Sequence, residues 1–255
     1  MDFERARQAF EKYLDGYDRK DDKVRLKIVH TYGVVKCSED IATRMGLSKE
    51  DIEIARIIAL LHDIGRFEQL KLYNSFNPCT MNHAKYGAKI LFEDGKIRDF
   101  VEEDTFDDII RIAIDKHSDF AIEGVDDERT LLHAKIIRDA DKLDNCRVKL
   151  VEELKTFLEN SPEEPGMDVI SDEVWKYCLQ KKSVLSTARV TAMDYWVSYV
   201  AYFYDIYFKE TMQIILEKDY IPRIIHRLEY KNPDTKHKMD ILEKDLLEYA
   251  KNRIK

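Results

Sequence analysis

Two adjacent residues at the end of an apolar run, His62 and Asp63 in IIALLHDIGRF, give this chain its first sign of chemistry. A carboxylate placed directly after Ile57, Ile58, Ala59, Leu60 and Leu61 needs a partner, because burying it alone costs several kcal/mol or more. A divalent cation is one such partner, and His with Asp is a mixed nitrogen and oxygen ligand pair. The chain carries more donors of the same types: His30 upstream, and His83, His117 and Asp141 downstream. Taken singly, each has a plainer reading. His62-Asp63 reads as a helix-end imidazole bonded to its neighbour, and His30, beside Val29, as a packed core histidine. His83 reads as a helix-opening residue near Asn82, His117 as a cation at a helix C-terminus, and Asp141 as the partner of Arg138.

Helices must position these groups. Gly and Pro are scarce, Ala, Leu, Ile, Lys and Glu are common, and no run of alternating β-branched residues stands out, so the composition favours an all-α fold. Residues 2–18 have apolar positions at helical spacing (Phe3, Ala6, Phe10, Tyr13). Residues 22–45 place Leu26, Val29, Gly33 and Cys37 near one face. Ser48 with Asp51 predicts a cap opening a helix over 49–62, and Gly65 its terminator. Asn74–Thr80, with Pro78, reads as a loop, followed by a helix over 82–92. Thr105 with Asp108 predicts another cap, opening a helix that runs to about His117. Residues 128–158 form one long helical pattern. NSPEEPGMDVISD, residues 160–172, is the clearest break, and helical patterns follow at 172–180, 184–208, 209–229 and 235–253. The expected organisation is one all-helical domain over 1–255. Its core spans about 20–155, and residues 172–255 form a C-terminal helical extension packed on it.

The formal net charge of −8 argues against binding nucleic-acid polymers through a basic footprint. It leaves room for a small anionic substrate, because a bound metal or a local basic cluster reverses the field. Cys37, Cys79, Cys146 and Cys178 are widely spaced and form no CxxC pair, which points to reduced thiols and a cytoplasmic setting. The charged N-terminus reads as no signal peptide. MDYWVSYVAYFYDIYF is interrupted by Asp194 and Asp205, so it reads as a buried helix or a homodimer surface and not as a membrane span.

The order H…HD…H…H…D resembles the HD-domain metal-dependent phosphohydrolase superfamily over roughly residues 20–150. LLHDIGRFEQ is similar to that family's LLHDIGKF segment. NHAKYGAKIL is similar to the helix of members with extra histidines, and RDADKLD to the closing Asp helix. The resemblance implies a helical bundle in which His30, His62, Asp63 and Asp141 hold one divalent ion (Mn, Fe, Co, Ni, Zn or Mg). His83 and His117 match members that bind a second ion, with Asp63 bridging. It further implies attack of a metal-bound hydroxide on the phosphorus of a small phosphorylated substrate, a nucleotide or a related phosphomonoester or phosphodiester, with Asp63 and His62 at the catalytic centre. Arg66, Lys85, Lys116 and Lys142, each within three residues of a ligand, are candidates for phosphate contacts. Asp115, Asp119, Asp139 and Asp144 are candidates for orienting the imidazoles.

The chain departs from some branches. Guanosine-tetraphosphate hydrolases carry an acidic pair shortly after HD, and the 5′-deoxynucleotidases a Glu where Arg66 stands. The cyclic-dinucleotide branch has a GYP motif that DKHSDFAIEGVDD lacks. Two rival readings follow from the same ligand set: a di-iron oxygenase, and a non-catalytic nucleotide-binding module that keeps its metal for stability.

Overall fold

Among the residues that the computed structural model describes, 1–158 and 165–255, all regular structure is helical. The chain divides into two compact units, Met1–Asn145 and Cys146–Lys255. The first contains α1 (Phe3–Tyr13), α2 (Asp22–Arg44), α3 (Lys49–Leu61), α4 (Ile64–Tyr73), α5 (His83–Ala88), α6 (Ile97–Phe100), α7 (Asp107–Lys116) and most of α8 (Glu128–Val151). Asp2, Asp21 and Ser48 cap α1, α2 and α3 by accepting from backbone N–H groups of the first turn, which satisfies donors that a helix start leaves without partners. The cap foreseen at Thr105 does not form. Helix α7 opens at Asp107 after Phe106, which makes no side-chain cap.

The core of this unit is aliphatic along α3, where Ile54, Ile57, Ile58, Ala59, Leu60 and Leu61 are fully buried. It is aromatic under α1, where Phe10 lies edge-on to Tyr32 at 6.1 Å and to Phe67 at 5.9 Å. On α2 the inward stripe follows Leu26, His30, Val34, Ser38 and Ile41. Val29, placed inward by the spacing, is 44 % exposed.

Gly65 does not end a helix. It lies in the first turn of α4, and a Cβ there would meet the His83 carbonyl at 2.3 Å and the Gly87 nitrogen at 2.6 Å. The absent side chain lets α4 and α5 touch backbone to backbone. The segment expected as one helix over 82–92 is α5 followed by a π-helical turn, Lys89–Glu93, a widening often found near functional sites. Gly33 serves a similar purpose on α2, where a Cβ would fall 2.0 Å from Asp144 Oδ1.

The second unit contains α9 (Leu154–Phe157), α10 (Asp172–Leu179), α11 (Ala192–Ala201), α12 (Lys209–Glu217), α13 (Tyr220–Ile225) and α14 (Pro233–Arg253). The break foreseen at 160–172 falls partly outside the described residues, which resume with a turn at Pro165–Met167. The patterns at 184–208 and 209–229 are each subdivided. Residues 186–188 and 202–205 are 3₁₀ turns flanking α11, and Asp219, at φ 53°, separates α12 from α13. In the aromatic stretch Trp196, Phe203 and Tyr204 are buried, as a core helix requires. Lys149 lies over the rings of Tyr199 and Tyr202 at 4.5 and 5.5 Å.

Two predictions follow from the first unit. Gly65→Ala forces backbone apart and is expected to destabilise by ~2 kcal/mol or more. Gly16→Ala, with nothing within 4 Å of the added carbon, is expected to change stability by less than ~0.5 kcal/mol. Equal melting temperatures for the two variants would refute the close approach. The second concerns Asp51, which binds Arg129 at 2.8 Å and His133 at 3.1 Å. Burial alone would raise its pKa, but Ser48, Arg129 and His133 outweigh burial and bring it to about 2. With the folded pKa below the unfolded one, this stabilisation is present above about pH 4 and is lost as pH falls toward 2. Asp51→Asn is expected to lower stability at pH 7 by ~1 kcal/mol, allowing for solvent screening, and to flatten the acid limb of a stability–pH curve. An unchanged acid limb would contradict the pairing.

Candidate metal centre

Four of the six residues singled out by sequence sit at helix ends, two lie mid-helix, and all six lie in the first unit. His62 is the C-cap of α3 and Asp63 the N-cap of α4, so the dipeptide forms the elbow between them. Asp63 leaves helical geometry there, at φ −102° and ψ 17°. His117 is the C-cap of α7, and His83 opens α5 behind Asn82. His30 lies mid-helix on α2, and Asp141 mid-helix on α8.

The two C-cap histidines are held alike. His62 Nδ1 lies 2.7 Å from the Ala59 carbonyl and His117 Nδ1 2.7 Å from the Ile114 carbonyl. A carbonyl only accepts, so Nδ1 donates in both cases, and the neutral ring presents a bare Nε2 lone pair. Arg138, itself buried on α8, donates to the Lys116, His117, Asp119 and Phe120 carbonyls and fixes the turn that carries His117. His30 donates from Nδ1 to Asp144 Oδ2 at 2.7 Å, the close approach that Gly33 allows. Asp144 thereby orients the ring.

These side chains converge. His30 Nε2 lies 2.9 Å from Asp141 Oδ1. His83 Nε2 and His117 Nε2 lie 3.2 and 3.8 Å from Asp63 Oδ1 and 3.1 Å from each other. His62 Nε2 stands 3.5 Å from Asp63 Oδ2, and it is buried with no hydrogen-bond partner. The ring centroids of His30 and His62, His62 and His117, and His83 and His117 are 5.8, 5.2 and 5.0 Å apart. Ligand atoms of His30, His62 and Asp141 lie within 4.8 Å of one another, as do those of His62, Asp63 and His117. Lone pairs facing each other across about 3 Å, beside a buried carboxylate, repel unless a cation stands among them. The donor set therefore fits a divalent ion of the borderline kind, with imidazole and carboxylate ligands.

Side-chain cations fill part of that role. Lys27 Nζ lies 2.7 Å from Asp63 Oδ2, and the Arg66 guanidinium lies 2.9 Å from His83 Nε2 and 3.8 Å from Asp63 Oδ1. Burial alone would push the Asp63 pKa up, but Lys27, His62 and His117 outweigh it and hold the carboxyl well below its usual range. Burial and then Arg66 drive the His83 imidazole well below its usual value, so it is neutral and able to ligate. For His30, burial and Lys27 favour the neutral ring, yet Asp141 and Asp144 raise its pKa above the ordinary value. The same His30 contact outweighs burial at Asp141 and lowers its pKa.

The four proposed phosphate contacts separate. Arg66 is at the centre. Lys116 pairs with Asp119 at 3.4 Å, Lys85 is exposed on α5, and Lys142 is half-buried on α8. Two participants escaped the sequence reading. Lys27 lies one turn before His30, and that i, i−3 spacing on a helix was the available signal. Asn145, one turn after Asp141, donates to Asp141 Oδ1 at 2.9 Å. His133 is buried against Asp51, away from this cluster.

Residues 28–146 match the family model for the HD domain. No curated protein and no solved structure matches the chain. The matched stretch begins two residues before His30, ends five after Asp141, and encloses the whole cluster. The chain thus carries an HD domain over residues 28–146.

Proposed function

We propose that this protein is a metal-dependent phosphohydrolase acting on a small phosphorylated compound, a nucleotide or a related phosphoester. The observation that carries the reading is the buried Nε2 of His62, without a hydrogen-bond partner, beside Asp63 and facing the other imidazoles. His30, His62, Asp63 and Asp141 would hold the first ion, and His83 and His117 would share Asp63 for a second. A divalent ion bound there supplies Lewis-acid polarisation of a phosphoryl oxygen and lowers the pKa of water into the neutral range.

The chain's own residues do the rest. Asp144 and the Ala59 and Ile114 carbonyls fix three imidazoles in the orientation that aims Nε2 inward. Lys27 and Arg66 supply positive charge on the Asp63 side of the cluster, where they attract an anion and balance charge that builds on phosphoryl oxygens. That half-buried positive charge suits an anionic phosphoryl group.

Two predictions test the proposal. Purified protein is expected to contain a divalent transition metal by elemental analysis and to hydrolyse members of a phosphomonoester and phosphodiester panel. Chelation should abolish turnover, and Mn²⁺ or Fe²⁺ should restore it. Asp63→Ala should leave less than ~0.1 % of turnover, equivalent to about 4 kcal/mol added to the barrier. A protein that remains inactive when loaded with metal, or consumes oxygen with retained iron, would overturn the reading. Separately, Asp144→Asn keeps the side-chain shape but removes the charge behind His30. Metal affinity in a competition titration should fall roughly 10- to 100-fold, and unchanged affinity would remove His30 from the ligand set.

A further inference from the structure

The imidazoles around Asp63 are not equally available to an ion. His62 Nε2 is buried and has no hydrogen bond to give up. His83 Nε2 does have one, because Arg66 Nη2 lies 2.9 Å from it. A guanidinium only donates, so the imidazole nitrogen accepts. That nitrogen carries one lone pair in the ring plane, which serves the Arg66 N–H or a metal ion but not both. The same guanidinium stands 3.8 Å from Asp63 Oδ1. Oδ1 is also the carboxylate oxygen that His83 and His117 approach, at 3.2 and 3.8 Å, whereas Oδ2 faces His62 and Lys27. Arg66 therefore lies against the ligand atoms assigned above to the second ion.

Arg66 is also clamped. Its Nη1 donates to Gln69 Oε1, one turn further along α4, and to the Phe76 carbonyl at 3.3 Å. Gln69 is fully buried, and its Nε2 donates to the Asn77 carbonyl and to Thr80 Oγ1, both at 2.8 Å. With both amide N–H groups engaged, the Gln69 side chain cannot turn away without losing them. The guanidinium is planar, so anchoring Nη1 on two acceptors keeps Nη2 on His83. Lys27, on the Oδ2 side, is by contrast a point charge on a flexible stem. A divalent ion arriving at His83 has to break the Arg66 hydrogen bond and then stand beside a positive charge that the clamp holds in place, which costs affinity. We infer that Arg66, positioned by Gln69, competes with the second ion for His83 and Asp63 Oδ1, so that the two ions load stepwise and the second binds more weakly. This inference rests on the two-ion ligand set proposed above and concerns how that set is loaded.

The test titrates full-length protein, stripped of metal, with Mn²⁺, following binding by calorimetry and ion pairs by electron paramagnetic resonance. The wild type is expected to bind its first ion at least about tenfold tighter than its second. Arg66→Met should tighten the second ion about tenfold, the scale of one charge-assisted hydrogen bond, and move the first by less than about threefold. A second ion detected only in Arg66→Met is the extreme of the same result. Lys85→Gln removes a like charge from an exposed position two residues from His83, and should shift neither ion by more than about threefold, because an exposed charge is screened. That variant separates contact from net charge. Gln69→Met leaves Arg66 in place without its anchor and should tighten the second ion by about threefold, the low end for one hydrogen bond. Arg66→Lys keeps the charge without the planar fork. It serves if Arg66→Met does not fold, and it should also tighten the second ion. Two ions of equal affinity in the wild type, or no gain at the second ion in the folded Arg66 variant, would overturn the competition. An equal gain in Lys85→Gln would overturn it too. Turnover separates the two readings. If the ions load stepwise as expected but no ester is hydrolysed, the hydrolase reading falls and the competition stands. If esters are hydrolysed by a protein whose two ions bind equally, the hydrolase stands and the competition falls. Uptake of no ion would remove the metal centre, and the competition with it.

Discussion

The structure depends on one buried negative charge, the carboxylate of Asp63. It sits at an elbow between two helices, beneath a fully buried aliphatic run. Leaving it without a counter-charge costs more than most single contacts return. Every polar group around it answers that constraint. Lys27 reaches from α2, Arg66 from α4, and imidazoles from α3, α5 and α7. A protein with no use for the charge would fill the elbow with an apolar side chain. Here the fold spends two glycine-mediated close approaches and two helix C-caps on building the cluster around it.

Those approaches link backbone geometry to site chemistry. Gly33 lets Asp144 lie against α2 and orient His30. Gly65 lets α5 approach α4 closely enough for His83 to meet Asp63. The C-caps of α3 and α7 each turn a ring so that Nδ1 is occupied by a carbonyl and Nε2 faces inward. The ends of helices thus gather a cluster of imidazoles and carboxylates, and His30, His62 and His117 each have Nδ1 held by a carboxylate or a backbone carbonyl. Arg138 adds a fixed C-terminal turn on α7, so His117 is not left to a fraying helix end.

Much of this was legible in the chain. The apolar run before His62-Asp63 announced a buried carboxylate, and the order of His and Asp residues with their flanking strings pointed to the HD family. The all-α class followed from composition and periodicity. What stayed hidden was three-dimensional. Gly65 reads as a helix terminator because local sequence shows a glycine's freedom but not the backbone that will lie against it. Val29 reads as inward because a stripe one position off fits the same spacing. Lys27 carries no sequence signal because a lysine on an amphipathic helix is usually solvated, and only the elbow of Asp63, brought to it by folding, gives it a partner. The long patterns at 184–208 and 209–229 concealed breaks because apolar periodicity continues through a 3₁₀ turn and through the left-handed Asp219.

The central claim is that these groups surround a cation. Diffraction from crystals of the metal-loaded protein, recorded above and below the metal's absorption edge, tests it directly. An anomalous peak is expected about 2.0–2.2 Å from His62 Nε2 and from an Asp63 oxygen, with Lys27 displaced from its 2.7 Å contact. A map with no peak there, and Lys27 still bound to Asp63, would contradict it.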